Sequence, residues 1–117
     1  MANNRFGIPD IVLSEIRARD KSCVYCHKTM IYPYLTHCSV DCATIEHLNC
    51  DPPYYWNDGL QAQDIVICCG ACNSSRGAKT LAEWFNTRYC IDRNINENTV
   101  AAPVRSYLQR QQKKQNN

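Results

Sequence analysis

Four cysteines with the spacing of metal ligands stand out in the sequence. They form two Cys-x-x-Cys pairs, Cys23 with Cys26 and Cys69 with Cys72. Zinc prefers four thiolate or imidazole ligands in a tetrahedron, and a two-residue spacer lets both thiolates of one turn face the same ion. The two pairs therefore predict one closed structural zinc site, which would help a chain of 117 residues to stabilise a modest core.

The other cysteines leave alternatives open. The chain has nine cysteines, an odd number, and its N-terminal residues lack the hydrophobic core of a secretory signal. Disulfides need an oxidising compartment, so we favour metal binding and expect a cytoplasmic protein. Cys38 and Cys42 could form a second metal site with His37 or Cys50, or they could be free thiols packed as small apolar side chains.

The segment between the two cysteine pairs holds residue types that suit phosphodiester hydrolysis. Glu46 and His47 are adjacent, Asp64 follows further along, and Asn73 comes directly after the second pair. A neutral imidazole can accept a proton near pH 7, so His47 is the candidate general base. A hard cation such as Mg²⁺ or Mn²⁺ prefers oxygen ligands, which the Glu46 carboxylate and the Asn73 amide could supply. Outside this context, a glutamate beside a histidine is usually an ordinary surface pair.

Two strands and a loop must position these residues. β-branched residues predict a strand over 43–48, and the apolar run over 64–68 predicts a second strand. Two prolines, three aromatic residues and an Asn-Asp-Gly turn predict a loop over 49–59. His47 would then lie at the end of the first strand and Asp64 at the start of the second.

Helices are expected before, between and after these elements. Thr80 is a suitable N-cap, and Glu83 three residues later completes a capping box. The tail 111–117 is expected to fray. The predicted helices cover residues 9–20, lie within 73–89 and cover 99–112.

The ordered combination of these motifs resembles the HNH nuclease family in its zinc-bearing form. The resemblance covers about residues 17–85 and implies an α+β fold with a ββα-metal (His-Me finger) core. In that fold an antiparallel hairpin and a following helix surround one catalytic metal. A four-cysteine zinc site would hold this core together, and N- and C-terminal helices would flank it. The motifs that carry the resemblance are Cys23-x-x-Cys26, Ala43-Thr44-Ile45-Glu46-His47 and Cys69-Gly70-Ala71-Cys72-Asn73-Ser74-Ser75-Arg76-Gly77.

The resemblance implies a role for each candidate catalytic residue. His47 takes the first histidine position, and Glu46 takes the acidic position beside it as a metal ligand. Asn73 takes the last position, where the family has histidine or asparagine. Asp64 stands at the middle position, which is usually asparagine. Its carboxylate could close the loop or hold His47 in its useful tautomer, or its charge could attract the metal or raise the pKa of the histidine.

Basic and aromatic side chains near these motifs are candidates for DNA contacts. Arg76 and Lys79 follow Asn73, and Arg88 and Arg93 belong to the basic C-terminal third of the chain. Such residues neutralise phosphates and give salt-sensitive affinity, whereas a formal net charge of +2 does not by itself indicate nucleic-acid binding. The aromatic run 54–56 could stack on bases or enter a groove, or it could cap the core.

We therefore predict a single domain over 1–117, with an HNH core over about 17–90 and a C-terminal helical extension over 91–117. The expected function is hydrolysis of double-stranded DNA by a stand-alone phage or bacterial endonuclease with structural Zn²⁺ and catalytic Mg²⁺ or Mn²⁺. It would chiefly nick DNA to 5′-phosphate and 3′-hydroxyl ends. A monomer or weak homodimer without membrane contact is expected. A non-catalytic zinc-ribbon DNA-binding module and a zinc-containing scaffold are the alternatives, and neither requires Glu46, His47 and Asn73.

Overall fold

An antiparallel hairpin with helices around it forms the centre of the chain. The computed structural model describes residues 3–115. Strand β1 (Ala43–His47) pairs with strand β2 (Ile65–Cys69), so that Ala43 lies opposite Cys69 and His47 opposite Ile65. The helices are α1 (Asp10–Arg19), α2 (Gly70–Arg76), α3 (Leu81–Phe85), α4 (Arg88–Arg93) and α5 (Ala102–Gln115), with 3₁₀ turns at Thr36–Asp41, Trp56–Asp58 and Ala62–Asp64. The predicted α+β class is confirmed.

β2 is buried along its whole length because both of its faces are covered. Side chains alternate between the two faces of a strand. Ile65 and Ile67 accordingly pack in one cluster with α1, whereas Val66 and Cys68 pack in a second cluster with α3 and α5. The hairpin therefore lies between two layers of helical side chains.

α2 follows β2 without a linker, and glycines mark both of its ends. Gly70 lies so close to the 3₁₀ turn Thr36–Asp41 that an added Cβ would stand 2.0 Å from the Ser39 carbonyl oxygen. Gly77 ends the helix with φ 54° and ψ −129°, a backbone conformation that favours glycine. The close packing of α2 against the 3₁₀ turn Thr36–Asp41 thus depends on the absence of a side chain at Gly70.

The helix expected within 73–89 is present as α3, which follows Thr80. The same region also contains the end of α2, which begins at Gly70, before Asn73, and the start of α4. The positive φ of Gly77 separates α2 from α3. The capping box is confirmed, because Glu83 N donates to Thr80 Oγ1 at 3.1 Å and Thr80 N donates to Glu83 Oε1 at 2.9 Å.

The last helix is shifted toward the C-terminus relative to its predicted range. It begins at Ala102 because the Ala101 amide already donates to the Val24 carbonyl at 2.8 Å, and a proline fits the first turn that follows. It continues to Gln115, so the predicted fraying is wrong for residues 111–115, and residues 116–117 lie outside the described range. Across residues 3–115, the structure contains no helix with the length and apolar character needed to cross a membrane.

Candidate functional site

The four cysteines of the two Cys-x-x-Cys pairs come together in the structure. The Sγ atoms of Cys23, Cys26, Cys69 and Cys72 all lie within 4.8 Å of one another. Cys26 is half-buried and the other three are fully buried. Four thiols that close around one point leave no open ligand position, which fits a structural metal site and is typical of zinc. The clustering that the sequence predicted is therefore confirmed.

Local hydrogen bonds shape each pair into a tight turn. The Cys23 amide donates to Lys28 O at 2.9 Å, and the His27 amide donates to Cys23 O at 2.9 Å. In the second pair, Cys69 caps α2, and its Sγ accepts from the Cys72 amide at 3.4 Å. Hydrogen bonds from the Cys69 and Cys72 thiols lower the pKa of Cys23, and the same contacts with Cys23 raise the pKa of Cys69 and of Cys72.

The alternative second metal site is not supported. Within residues 3–115, the four-cysteine cluster is the only group of three or more His, Cys, Asp or Glu side chains close enough to hold an ion. Cys42 is buried, and its Sγ donates to the Cys38 carbonyl oxygen at 3.2 Å. Cys42 thus packs as a small buried side chain, in agreement with the alternative that it is a free thiol and not a metal ligand.

A cavity of about 720 Å³ lies along the edge of β1 that does not pair with β2; we call it the β1 cavity. The cavity is lined by residues from the N-terminal segment, from β1 and the loop after it, and from α2. Three of the four predicted catalytic residues, Glu46, His47 and Asn73, line it. Asp64 lines a smaller neighbouring cavity of about 320 Å³, which His47 also borders.

His47 is oriented by a backbone carbonyl. Its Nε2 lies 2.9 Å from the carbonyl oxygen of Tyr54. Because a carbonyl can only accept, Nε2 carries the proton, and Nδ1 keeps its lone pair in the neutral ring. The ring packs edge-on against Phe6, with centroids 4.5 Å apart, and burial lowers the pKa of His47. A histidine held neutral in this tautomer can accept a proton at Nδ1.

The side-chain amide of Asn73 is held through its nitrogen, and its oxygen has no partner among residues 3–115. Its Nδ2 donates to Thr44 Oγ1 at 3.0 Å and to the Ile45 carbonyl at 3.2 Å. Since the Ile45 carbonyl can only accept, the nitrogen must occupy that side of the amide. Oδ1 accepts no hydrogen bond from residues 3–115, and the residue lines the β1 cavity. This oxygen is therefore open to an external ligand.

Glu46 is buried and held by two donors. Its Oε2 accepts from the Tyr25 hydroxyl at 2.8 Å and from Arg76 Nη1 at 3.1 Å. Burial raises the pKa of Glu46, and the charge of Arg76 acts in the opposite direction. Oε1 accepts no bond from the described part of the chain. Glu46 and Asn73 both line the β1 cavity, and each has one side-chain oxygen that accepts no hydrogen bond from residues 3–115, the atom type that hard cations prefer.

Asp64 lies directly before β2, as predicted, but its side chain does not orient His47. Its carboxylate lies 3.4 Å from Arg110 Nη2, and the bond that orients His47 comes from Tyr54 instead. The Asp64 carbonyl accepts from the Leu48 amide at 2.9 Å, which extends the hairpin beyond its last strand pair. The structure therefore does not support a catalytic role for the Asp64 side chain.

Arg76 is buried, so the prediction that it contacts DNA phosphates does not agree with the structure. The residue is 2% exposed. Its Nε donates to Lys79 O at 2.9 Å, and its Nη1 donates to His47 O at 3.0 Å as well as to Glu46. Its Nη2 donates to Leu48 O at 2.7 Å. These bonds occupy the guanidinium and tie the end of β1 to α2.

The other predicted DNA-binding residues are exposed but lie outside the lining of the β1 cavity. Arg88 pairs with Asp92 at 3.1 Å on the surface of α4. Arg93 stacks over the Tyr89 ring, with its Cζ 3.7 Å from the ring centroid. Lys79 is exposed in the turn between α2 and α3. The structure thus does not bring these three cations to His47.

Sequence reasoning missed the N-terminal segment and the carbonyl of Tyr54. Arg5 and Phe6 line the β1 cavity, and no motif marks either residue. Tyr54 orients His47 through its backbone, which any residue type would supply, so its identity carried no signal. In the same loop, Trp56 packs against the buried cluster that contains Ile65, Ile67 and side chains of α1, which we call the α1-side cluster. This agrees with the alternative that the aromatic run caps the core, whereas Tyr54 and Tyr55 are exposed.

The cysteine cluster and the β1 cavity share elements of the fold. Cys72 and Asn73 are neighbours in α2, and Cys69 ends the strand that pairs with β1. A metal ion bound by the four cysteines would therefore fix the helix that presents Asn73.

No protein-family model, no curated protein and no solved structure matches this chain.

Proposed function

We propose that the chain is a divalent-metal-dependent DNA endonuclease with an HNH-type ββα-metal core. The observation that carries the proposal is the arrangement of His47. Its Nε2–H donates to the Tyr54 carbonyl, so that Nδ1 remains a free base at the cavity that Asn73 also lines. In this assignment, β1, β2 and α2 are the two strands and the helix of the core.

His47 acts as the general base in the proposed reaction. Nδ1 takes a proton from a water molecule while the water oxygen forms a bond to phosphorus. The bond between phosphorus and the 3′ oxygen breaks, and solvent protonates that oxygen, which gives 5′-phosphate and 3′-hydroxyl ends. The Tyr54 carbonyl keeps the ring oriented and stabilises the imidazolium that forms. A positioned base of this kind contributes about 10²- to 10⁴-fold to the rate.

Glu46 and Asn73 would hold the catalytic Mg²⁺ or Mn²⁺ through Oε1 and Oδ1. When bound, the cation supplies positive charge against the phosphate and the departing 3′ oxygen. Tyr25 and Arg76 fix the glutamate by binding its other oxygen. Thr44 helps to fix the asparagine by accepting from its amide nitrogen. The chain thus orients both ligand atoms through their neighbours.

The four-cysteine cluster is proposed to bind one structural zinc ion.

The double-stranded DNA substrate would enter the β1 cavity from its open side. Each chain would act as a monomer or weak dimer. The exposed ring of Tyr54 packs against His47, that of Tyr55 packs against Phe6, and both could contact the bases.

Cleavage of a supercoiled plasmid tests this proposal. The zinc-loaded protein should cut in the presence of Mg²⁺ or Mn²⁺ and stop when EDTA is added. His47→Ala should lower the rate at least about 10²-fold while folding and DNA affinity persist. His37→Ala is the matched control, because His37 is exposed and lies outside the lining of the cavity. Equal rates for the His47 variant and the wild type would reject the assignment.

One observation favours a non-catalytic zinc-ribbon DNA-binding module as a second candidate. Half of the Glu46 carboxylate is already engaged by Tyr25 and Arg76, and the charge of the glutamate is balanced by the arginine. A divalent cation therefore gains less binding free energy from this glutamate than it would from a glutamate without an ion-pair partner. DNA binding without cleavage at any tested Mg²⁺ or Mn²⁺ concentration would select this candidate over the nuclease.

A further inference from the structure

Among residues 3–115, the charged side chains that line the β1 cavity leave one cation without an ion-pair partner. Glu46 is the only acidic residue in the lining, and its charge is balanced by Arg76, whose donors are occupied within the fold. Arg5 also lines the cavity, is exposed, and forms no ion pair with any of residues 3–115. Its Cζ lies 5.0 Å from the centre of the Phe6 ring. The cavity therefore presents an excess of one positive charge beside His47.

The backbone around Arg5 is anchored on both sides. Asn4 Oδ1 accepts from the amides of Phe6 and Ile8, both at 3.1 Å, and Asn4 Nδ2 donates to the Ile8 carbonyl at 2.9 Å. The Trp56 amide donates to the Phe6 carbonyl at 2.8 Å, and Ile8 is fully buried in the α1-side cluster. The backbone that carries the Arg5 guanidinium is therefore held in place by these hydrogen bonds and by the burial of Ile8.

We propose that Arg5 binds a backbone phosphate of the nucleic-acid strand that occupies the β1 cavity. A guanidinium carries planar, parallel donors that match two phosphate oxygens, and it retains its charge at any physiological pH. Phe6 packs edge-on against His47, the proposed general base. Arg5 directly precedes Phe6 in the sequence, so its guanidinium is carried close to His47. The bound phosphate is therefore the one at the scissile bond or its immediate neighbour. The inference rests on the proposed function for the identity of the strand.

The salt dependence of DNA affinity tests this role without any cleavage. Anisotropy of two unrelated fluorescent duplexes is measured with the zinc-loaded full chain, without added Mg²⁺ or Mn²⁺, over a range of salt concentrations. Loss of one phosphate contact reduces the slope of log K against log salt by about 0.9 for either sequence. Arg5→Gln should show this reduction. Lys21→Gln, which also removes one positive charge from an exposed residue outside the lining of the cavity, should keep the wild-type slope.

A second measurement separates a nucleic-acid phosphate from free phosphate. The Nε–Hε signal of Arg5 is followed by NMR while either duplex DNA or inorganic phosphate is added. A shift with duplex DNA, together with the reduced slope of Arg5→Gln, supports the proposal. A shift with inorganic phosphate alone, or equal slopes for Arg5→Gln and wild type, overturns it. Because Arg5 is exposed, unchanged melting of the variant is expected and excludes misfolding as the cause.

The two proposals fail in different ways. If the wild-type protein binds DNA through Arg5 but cuts no plasmid, the nuclease assignment is wrong and the phosphate site stands. If His47 proves essential for cleavage while Arg5→Gln keeps the wild-type salt slope, the nuclease assignment stands and the phosphate site is rejected.

Discussion

Arg76 Nη1 lies 3.1 Å from Glu46 Oε2, and both side chains are almost fully buried. Removing two charges from water is costly, and a buried pair is tolerated when further hydrogen bonds satisfy its remaining donors. Arg76 meets this condition through the carbonyls of His47 and Leu48. The ion pair therefore connects the strand that carries His47 to the helix that carries Asn73.

Replacement of Arg76 by methionine should destabilise the protein strongly. The change leaves Glu46 buried without a cation and removes the donor from three backbone carbonyls, a loss of about 3–5 kcal/mol in the free energy of unfolding. Urea titration of the zinc-loaded protein measures this difference. Arg88→Met, at an exposed ion pair, should change stability by less than about 0.5 kcal/mol.

The double variant identifies the origin of this loss. If the uncompensated charge dominates, Glu46→Gln combined with Arg76→Met should recover part of the stability that the single Arg76 variant loses. A single variant as stable as the wild type would show that the pair contributes little. It would also remove the argument that Arg76 holds β1 against α2.

The protein should bind one zinc ion per chain through Cys23, Cys26, Cys69 and Cys72. Cys23→Ser removes one of four ligands from a closed site, and structural zinc supplies much of the folding free energy of small domains. We expect this variant to lose zinc in elemental analysis and to unfold, as judged by circular dichroism. Cys38→Ser, outside the cluster, is the control and should keep both the metal and the fold.

Local patterns explain which parts of the fold were predictable. The Thr80–Glu83 capping box and the two Cys-x-x-Cys turns depend on residues three positions apart, so their geometry follows from the local sequence. The hairpin was predictable because an apolar run such as Ile65–Cys69 is typical of a strand covered on both faces.

The errors concern side chains whose environment depends on distant partners. Arg76 was expected at the surface, yet its burial requires acceptors in β1, which lies far from it in the sequence. One expected role of Asp64 was to hold His47 in its useful tautomer, but its carboxylate lies against Arg110 of α5 instead. Arg5 carries no motif and reaches the cavity only through the anchoring of the N-terminal segment. Periodicity and spacing contain no information on such contacts.

Gly70→Ala should destabilise the protein, although alanine is the better helix former by about 1 kcal/mol in an exposed helix. The added Cβ would stand 2.0 Å from the Ser39 carbonyl oxygen, so either α2 or the preceding turn must move. Overpacking of this kind costs about 1–3 kcal/mol. A lower thermal midpoint and weaker zinc retention are expected. Ser74→Ala, at an exposed position of the same helix, should leave both unchanged, and a Gly70 variant that melted above the wild type would contradict the close approach.

Cleavage by this chain should produce nicks before double-strand breaks. Each chain carries one His47 and one proposed pair of metal ligands, Glu46 and Asn73, so the proposed site can cut one strand at a time. A concerted break needs two such sites on opposite strands, which a symmetric dimer would supply. The buried residues of α5, Val104 and Tyr107, pack into the chain's own core, so this apolar face is not available to a partner. We therefore expect open circles to accumulate before linear DNA when a supercoiled plasmid is treated with little enzyme. Direct conversion to linear DNA, together with a dimer in sedimentation, would show instead that paired active sites act at once.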